Sequence, residues 1–353
     1  MKSIVKQSVG IDVAQDELVV CIGRMYDNWE AELYAHKKFA NTDKGFAGLL
    51  NWVNTQTTAQ VGIRYVMEAT GVYHESLAYY LDEQGCAVSI VLPNKISNYF
   101  RSLDVKTITD KTCSQAIAQF GLERKLENWK RPKAVYRRLR QLTREREQIV
   151  QERTVIKNQL HAEQSEAMPY RKSIERIKQR IALLDKQDKE IQEELGAMLK
   201  EEQEVQSMVV ILCSLPGVGL LTAAIALGET NGFELIRNKR QLASYAGFDV
   251  KEKESGTSVK GKPHISKRGN KYLRKAMHLP ALAAIRHDQR FKAVFARLVC
   301  KHGIKMKAAV AVQRKLLEMM FTLISKKMNY DKDYFTAPQE EAAVILKEEG
   351  LKN

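Results

Sequence analysis

Residues 7–24 read "QSVGIDVAQDELVVCIGR", two runs of β-branched and other apolar residues on either side of a polar turn. This pattern predicts a strand, a turn and a second strand. Two further short apolar runs, at residues 61–71 and 85–93, end on a glycine and a proline, and the stretch before each has the apolar spacing of a helix. Strands that alternate with helices indicate an α/β domain with a mixed or parallel sheet, which we place at residues 1–125.

The charge of the chain is strongly positive. Among 353 residues, 57 are Lys or Arg and 42 are Asp or Glu, which gives a formal net charge of +15. An excess of this size favours a polyanionic partner, because neutralised phosphates release counterions; nucleic acid is the first expectation and a membrane surface the second. The excess is concentrated in residues 251–310, which hold 16 Lys and Arg against three acids.

Other features of the composition exclude several classes of protein. The first residues turn acidic too soon for a signal peptide, and no uninterrupted apolar run approaches about 20 residues, the length of a membrane-spanning helix. The five cysteines are scattered, without a C-x-x-C pair. This distribution is typical of reduced thiols rather than of disulfides or a zinc site, so we expect a cytoplasmic protein without a membrane partner.

Apolar residues recur at alternating spacings of three and four across residues 132–206. One seam precedes Pro169 and a second follows it, interrupted only by Asp188. The pattern predicts two long helices that form either an antiparallel hairpin within one chain or a coiled coil that joins two chains. Residues 207–328 predict a mainly α-helical domain, and residues 329–353 a polar tail.

Two acids stand at the ends of predicted strands. Asp12 follows the apolar run "SVGI", and Glu68 follows "IRYVM" in the same way. Acids at the ends of neighbouring strands can converge on one Mg²⁺, which takes hard oxygen ligands, and such an ion can polarise a phosphodiester. Each acid alone is more often a turn or capping residue, but the matching positions of the pair favour a metal site.

Six segments of the chain resemble, in the same order, the DEDD transposases of the insertion-sequence family numbered one-ten: "GIDVAQDE", "MEATGVYH", "TDKTCSQAIAQFG", "LPGVGLLTAAIALGE", "QLASYAGF" and "SGTSVKGKPHISKRGNKYLR". The resemblance covers most of the chain. It implies a ribonuclease H-like first domain similar to the RuvC resolvase, a C-terminal transposase domain, and site-specific DNA recombination of a mobile element. In the best understood branch of the family, a structured RNA encoded by the element pairs with donor and target DNA.

The resemblance also implies the catalytic magnesium ligands. By position, the first three acids of the family motif fall on Asp12, Glu68 and Asp110. The fourth position, three residues later on the same helix face, holds Cys113. A thiol is a poor ligand for Mg²⁺, so this departure puts the second metal site in doubt. Asp104, just before that helix, is a candidate substitute, and a packing role for the thiol is the alternative.

The segment "KEKESGTSVKGKPHISKRGN", residues 251–270, combines hydroxyl groups with a high density of Lys and Arg. From composition alone, Ser255, Thr257, Ser258 and Ser266 are nearly equivalent, and a solvated phosphate-contact loop is the simpler interpretation. The resemblance places the family's nucleophilic serine on Ser255, with Ser258 as the second choice. A glycine directly after Ser255 would let a DNA strand approach closely, and the backbone N–H groups of "SKRGN" could hold a phosphate.

Further residues of the third segment are predicted to contact nucleic acid. The run "LPGVGLL" resembles a helix-hairpin-helix turn, whose N–H groups bind a sugar-phosphate backbone without reading its sequence, although a Pro-Gly helix start is as often purely structural. The glycines of this turn and the cations around the serine make up the predicted interface: Gly217, Gly219, Lys260, Lys262, Lys267, Arg268, Lys271 and Arg274.

Three other functions fit parts of the sequence. His287 and Arg290 form an H-x-x-R pair with Tyr330 and Tyr334 downstream, as in a tyrosine recombinase, but this interpretation leaves the strand-end acids unexplained. A metal-dependent junction nuclease would use the acids alone. A nucleic-acid-binding relic without cleavage activity is the third alternative, which the thiol of Cys113 favours.

We therefore predict a DNA recombinase in which two domains share one reaction. Mg²⁺ held by the three acids lies near the scissile phosphate, and Ser255 attacks that phosphate to form a phosphoserine link. The resemblance implies donor DNA, target DNA and a structured guide RNA as partners. It also implies that the acids and the serine come from different protomers of a dimer, that the helical middle serves assembly, and that dimers pair into a tetramer on DNA.

Overall fold

The computed structural model describes residues 2–69, 71–103, 105–252, 254–255, 259–261 and 263–333. The chain divides into two compact units, Met1–Arg131 and Pro132–Asn353. In the part of the chain that the structure describes, no helix is both long and apolar enough to cross a bilayer.

The first unit is built on a five-stranded sheet of order β3-β2-β1-β4-β5. Its strands are β1 (Ile4–Val13), β2 (Glu17–Tyr26), β3 (Ala31–Ala40), β4 (Ile63–Glu68) and β5 (Ala87–Val91). The pairs β1–β2 and β2–β3 are antiparallel, whereas β1–β4 and β4–β5 are parallel. Three antiparallel strands followed by two parallel ones in this order are the arrangement of the ribonuclease H-like fold, and they confirm the predicted fold class.

Helices cover both faces of this sheet. They are α1 (Asp43–Gln56), α2 (Glu75–Glu83), α3 (Pro93–Ser102) and α4 (Asp110–Glu123). Successive residues of a strand point to opposite faces. On one face Val9 of β1 packs in a cluster with Leu49 of α1 and Leu77 of α2. On the other face Val66 of β4 packs with Ile117 of α4.

Helix α4 lies very close to β1. A Cβ atom on Gly10 would be 2.4 Å from the carbonyl oxygen of Ser114, and one on Gly121 would be 2.1 Å from the hydroxyl oxygen of Ser8. Both separations are too short for a real Cβ atom, so glycine is required at both positions. The two contacts show that α4 runs antiparallel to β1, which brings the N-terminus of the helix to the carboxyl end of the strand.

The second unit begins with two long helices. They are α5 (Ala134–Gln164) and α6 (Arg171–Glu201). Pro169 lies in the turn between them, and two ion pairs define their antiparallel order: Arg138 with Glu194 at 3.0 Å, and Arg153 with Asp185 at 2.7 Å. The apolar seams are buried within one chain, which corresponds to the hairpin alternative of the sequence prediction.

Asp188, the polar interruption of the second seam, is only 6% exposed. Its carboxylate lies 2.8 Å from Arg146 Nε and 3.3 Å from Arg153 Nη1, and both cations belong to α5. A buried carboxylate without such partners would be strongly destabilising. The two arginines of α5 therefore compensate the buried charge of Asp188, and these ion pairs help to fix the register of the two helices.

The remaining helices join the same core as α5 and α6. They are α7 (Gln203–Cys213), α8 (Leu220–Thr230), α9 (Lys239–Tyr245), α10 (Lys271–Ala276), α11 (His278–His287), α12 (Gln289–His302) and α13 (Lys305–Lys326). Leu139 of α5, Leu227 of α8 and Leu316 of α13 are fully buried members of one cluster. The predicted middle and C-terminal segments thus share a core in the second unit.

Two short antiparallel ladders lie between α9 and α10. The outer ladder pairs β6 (Val250–Lys251) with β9 (His264–Ile265), and the inner one pairs β7 (Glu254–Ser255) with β8 (Val259–Lys260). Along the chain, the inner ladder is nested between the two strands of the outer one.

Candidate active site and nucleic-acid interface

Asp12 and Glu68 lie at the carboxyl ends of neighbouring parallel strands and in the same register. Ile11 of β1 pairs with Met67 of β4, and the two acids are the next residue of each strand. Alternation along β1 places Asp12 on the same face as Gly10, the face that α4 covers. In parallel strands at matched register the neighbouring side chains leave the sheet on one side. The two predicted strand-end acids therefore share one edge and one face of the sheet.

Asp110 is fixed at the first turn of α4 by a reciprocal cap. The Thr109 hydroxyl accepts a hydrogen bond from the Thr112 backbone N–H at 3.2 Å, and the Thr112 hydroxyl accepts one from the Thr109 N–H at 2.9 Å. This capping box makes Asp110 the first helical residue. A carboxylate is favourable at a helix N-terminus, and this terminus lies at the carboxyl end of β1.

The acids interact electrostatically. The pKa of Asp12 is raised to about 6, first by burial and then by the negative charges of Asp110 and Glu68. Burial and the same three carboxylates also raise the pKa of the Cys113 thiol. The structure therefore brings the four motif positions into one electrostatic cluster, although they are far apart in the sequence.

The donor set partly fits a metal ion. Among the described residues, no three His, Cys, Asp or Glu side chains lie close enough together to form a ligand cluster. The chemistry is nevertheless suitable, because three facing carboxylates repel one another and a divalent cation would relieve that repulsion. The thiol supplies no hard oxygen. Asp12, Glu68 and Asp110 are therefore the hard-oxygen donors that suit a divalent cation.

Ser255 is the last residue of β7 and pairs with Val259 of β8. Several predicted residues lie outside the described part of the chain: Asp104, Thr257, Ser258, Lys262 and Tyr334, together with the side chains of Ser255 and Lys260.

The hydroxyl of Ser266 is committed to a structural role. It donates to Asp249 Oδ1 at 2.6 Å and accepts from the Arg268 N–H at 3.2 Å, while the Ser266 N–H donates to the Asp249 carbonyl at 2.8 Å. These bonds give Ser266 a structural role, whereas composition alone did not distinguish it from Ser255, Thr257 and Ser258. They follow the outer ladder directly, at the start of "SKRGN".

The "SKRGN" segment presents its cations on a tightly held loop. Lys267 has the left-handed φ of +53°, and its N–H donates to the Gly247 carbonyl at 3.1 Å. A Cβ on Gly269 would lie 2.5 Å from the carbonyl oxygen of Tyr245, so the loop presses against the end of α9. Lys267, Arg268 and Lys271 are exposed. Arg274 is half-buried and donates to the Ala246 carbonyl at 2.8 Å, so at least part of its donor capacity serves the fold.

A buried acid that the sequence did not predict anchors this loop. Glu229 is 2% exposed and accepts two hydrogen bonds from Arg144, at 2.7 and 2.8 Å, and one from Asn270 at 2.5 Å. Asn270 is the N-cap of α10, and the hydroxyl of Tyr245 donates to the Glu229 carbonyl at 2.7 Å. The Arg144 guanidinium also lies 4.7 Å from the ring centre of Tyr272. Four elements, α5, α8, α9 and α10, therefore meet at Glu229.

The turn between α7 and α8 has the connectivity of a helix-hairpin-helix. Gly217 has φ of +81°, and a Cβ there would lie 2.6 Å from the Pro280 carbonyl oxygen, so this glycine is required for packing against α11. Gly219 is exposed at the N-cap of α8, and a Cβ there would meet nothing within 4 Å. The two predicted glycines therefore differ: one has a structural reason, and the other leaves a helix N-terminus open to a phosphate.

Of the residues that suggested a tyrosine recombinase, Tyr330 has a structural role. Asp288 is 5% exposed and caps α12 by accepting from the Arg290 and Phe291 N–H groups. Its second oxygen accepts from the Tyr330 hydroxyl at 2.9 Å. Burial and this bond raise the pKa of Tyr330 to about 12. A phenol bound in this way is not prepared to attack a phosphate.

Two family models match the chain in succession. A DEDD transposase model of IS110 matches residues 9–169, and a model described as transposase of the IS116/IS110/IS902 family matches residues 209–296. Together with the ribonuclease H-like sheet and its edge acids, these matches define the chain as a DNA transposase, an enzyme of DNA recombination. It belongs to the IS116/IS110/IS902 family of transposases.

Two relatives are similar to this chain over more than nine tenths of its length. The pilin gene-inverting protein of Moraxella bovis is 27% identical over 341 residues, which are 93% of this chain and 98% of that protein. The transposase for insertion sequence element IS1111A of Coxiella burnetii is 22% identical over 354 residues, 91% of this chain and 90% of its own. Among solved structures, T. thermophilus RuvC in complex with a Holliday junction substrate has a TM-score of 0.27 at 10% identity, over 35% of this chain and 99% of RuvC.

Proposed function

We propose that this transposase is a site-specific recombinase of an insertion sequence that cuts and rejoins DNA through a phosphoserine intermediate. The observation that carries the proposal is the electrostatic cluster at the sheet edge, where burial, together with the charges of Asp110 and Glu68, raises the pKa of Asp12. Acids that repel one another in this way are costly to the fold, and such perturbed groups concentrate at functional sites.

In this proposal Asp12, Glu68 and Asp110 hold Mg²⁺. When bound, the ion polarises the scissile phosphodiester and stabilises its developing charge. Asp12, with a pKa of about 6, is mostly ionised at neutral pH and is available as a ligand. Glu68 and Asp110 approach the same position from a strand end and a helix start, so two rigid elements orient their carboxylates.

Ser255 is the proposed nucleophile. Its hydroxyl oxygen bonds to the phosphorus and loses its proton to solvent, while a DNA oxygen leaves as an alcohol after it gains a proton. The number of P–O ester bonds stays the same, so a DNA hydroxyl can later displace the serine and restore a phosphodiester. The exposed side chains of Lys267, Arg268 and Lys271 would neutralise the phosphates beside the site, as would the predicted contacts Lys260 and Lys262.

The proposed partners are donor DNA, target DNA and a structured guide RNA. The charge of +15 supports polyanionic partners. If base pairing selects the target, the protein needs only backbone contacts, such as those proposed at Gly217, Gly219 and Arg274. The proposal includes assembly as a dimer, and as a tetramer on DNA, with the acids and the serine supplied by different protomers.

The test combines purified protein, RNA transcribed from the non-coding flank of the element, Mg²⁺ and end-labelled DNA that spans an element end. Label that travels with denatured protein for the wild type and not for Ser255→Ala would support the nucleophile. A band that persists in Ser255→Ala and maps to another peptide would overturn the serine assignment. Glu68→Gln is expected to depress metal-dependent cleavage, and unchanged cleavage would count against the acids.

Two other outcomes would replace the proposal. Cleavage that depends on Mg²⁺ but gives no protein–DNA adduct would identify a junction nuclease. Binding without cleavage in the wild type, restored to cleavage and adduct formation by Cys113→Asp, would identify a relic that has lost one acid. Cys113 is the observation that favours this second candidate.

A further inference from the structure

A cleft of about 510 Å³ lies in the second unit between α12, α13 and the segment that follows α13. It contains none of the residues assigned to cleavage. Its volume is within the range of sites that bind small organic ligands. Two residues of the rejected H-x-x-R interpretation, Arg290 and Tyr330, line it.

The floor of the cleft is apolar and aromatic. Val294 of α12 and Met319 and Leu323 of α13 line it, together with the rings of Phe291 and Tyr330. The two ring centres are 6.5 Å apart, and the ring planes are inclined by only 30°. Phe291 is only 3% exposed and packs behind the half-buried ring of Tyr330. The Tyr330 ring is therefore the aromatic surface that can accept the face of a nucleobase, because every base has a π-face.

Hydrogen bonds hold the segment after α13, which forms one wall of the cleft. Lys327 ends α13 with a left-handed φ of +52°, which turns the chain back over the helices. The Tyr330 N–H then donates to the Ser214 hydroxyl at 2.8 Å, and its own hydroxyl donates to buried Asp288 at 2.9 Å. The cleft is therefore preformed, and a ligand would not have to order it.

The rim of the cleft is positively charged. Lys239, Lys315 and Lys326 are exposed there and form no ion pair with a described residue, and Arg290 lies beside them. One acid of the lining, Glu318, is already paired with Arg314 at 2.8 Å. The other, Asp331, accepts a hydrogen bond from a backbone N–H at 2.8 Å. The lining thus has four cationic side chains against two acidic ones, and this net positive charge suits phosphate.

We propose that this cleft binds an unpaired nucleotide of single-stranded nucleic acid, with the base against Tyr330, which Phe291 supports from behind, and the flanking phosphates on the rim lysines. A base reaches a concave aromatic wall only when it is splayed out of a helix, so a duplex is disfavoured. The site goes beyond the proposed function, since it needs neither the metal nor Ser255. It would hold a strand or loop of a substrate while the chemistry proceeds elsewhere.

The test uses a short single-stranded oligonucleotide with one central 5-iodouridine, in EDTA, so that binding is read without cleavage. Irradiation is expected to crosslink the probe to a peptide that contains Phe291 or Tyr330, whereas the same strand in a duplex should not crosslink there. Lys315→Ala/Lys326→Ala should weaken binding of the single strand by about tenfold and remove this crosslink. Ribose and deoxyribose versions of the probe distinguish an RNA ligand from a DNA ligand by their relative affinity.

Lys292→Ala/Lys301→Ala is the matched control, because both lysines are exposed on α12 and neither lines the cleft. This pair removes the same charge and should keep the crosslink. An equal loss of single-strand affinity in the two double variants, or crosslinks only at other peptides, would overturn the proposal. Residues 334–353 carry four Glu and two Lys. A crosslink that appears only after truncation behind Asp333 would instead assign the cleft to this acidic segment.

Discussion

Gly10 of β1 lies directly against the backbone of Ala118 in α4, since a Cβ atom on Gly10 would be 2.2 Å from the Ala118 nitrogen. Asp12 is two residues further along the strand, and the helix begins with Asp110 about two turns before this contact. A close contact between the backbones of a strand and a helix therefore determines how closely two of the proposed metal ligands approach each other.

Gly10→Ala is expected to lower the free energy of unfolding by about 1–3 kcal/mol, because the new methyl group overlaps helix backbone and α4 must move off the sheet. The control is Gly62→Ala, where a Cβ meets nothing within 4 Å, and this variant should be nearly as stable as the wild type. Urea denaturation measures both. Equal midpoints for the two variants would mean that α4 shifts at no cost and does not set the spacing of the acids.

The raised pKa of Asp12 predicts a pH dependence of stability in the absence of metal. Well below the ordinary pKa of 3.8 the carboxyl is protonated in both the folded and the unfolded state. As the pH rises from there through about 6, the folded state must accept a charge in a buried position beside Asp110 and Glu68, and stability is lost. Asp12→Asn should therefore melt higher than the wild type at pH 7.5, by roughly 2 °C, and at about the same temperature near pH 3. Thermal unfolding in EDTA tests this, and a pH-independent difference would contradict it.

Cys113→Asp supplies the missing fourth carboxylate at a position that already interacts with the other three. We expect tighter binding of Mg²⁺ by about tenfold, or ~1.4 kcal/mol, because one more hard anionic ligand faces the ion. Without metal the same variant should be less stable than the wild type. The measurement is the unfolding temperature against Mg²⁺ concentration. Cys113→Asn, similar in size but uncharged, is the control, and the same Mg²⁺ dependence in both would place residue 113 outside the site.

Glu229→Gln removes the charge at the junction of four helices and leaves the guanidinium of Arg144 without its carboxylate. We expect a loss of about 2–4 kcal/mol in the free energy of unfolding, less than for a fully buried pair because the Arg144 side chain is 40% exposed. Glu234→Gln breaks an exposed pair with Lys133 and should cost less than about 1 kcal/mol. Denaturant unfolding measures both variants. Comparable losses in the free energy of unfolding would mean that the buried network contributes no more than an exposed ion pair.

Local sequence patterns were sufficient to predict that Asp12 and Glu68 lie at the edge of the sheet. Asp12 and Glu68 each follow a run of buried residues, and a strand followed by an acid can be recognised without knowledge of the partner strand. Asp110 was predicted only through the family resemblance, although the Thr109–Thr112 cap could have indicated the start of its helix. Strand β3 was missed, because most of its residues are exposed or half-buried at the sheet edge and show no clear apolar alternation.

Contacts between distant segments could not be read from the sequence. Glu229 closes an apolar helix, "LLTAAIALGE", and nothing nearby indicates that its partner is Arg144, 85 residues earlier. Likewise, the tight approach of Gly10 to α4 depends on a helix that begins 100 residues later. Such pairings arise from the packing of whole elements, and only the three-dimensional arrangement reveals them. The nucleophile remains a prediction that the resemblance alone distinguishes from its neighbours.

The hairpin of α5 and α6 also has a mechanical consequence. Each helix has 31 residues, which at 1.5 Å per residue is a rod of about 46 Å, comparable to about 14 base pairs of B-form DNA. Its ion pairs and buried seam hold the two helices side by side, and Met168 at the far end is 90% exposed. Removal of one heptad from each helix at facing positions would draw that end inward by about 10 Å without disturbing the register. The number of residues in α5 and α6 therefore sets the distance by which the tip of the hairpin extends from its base.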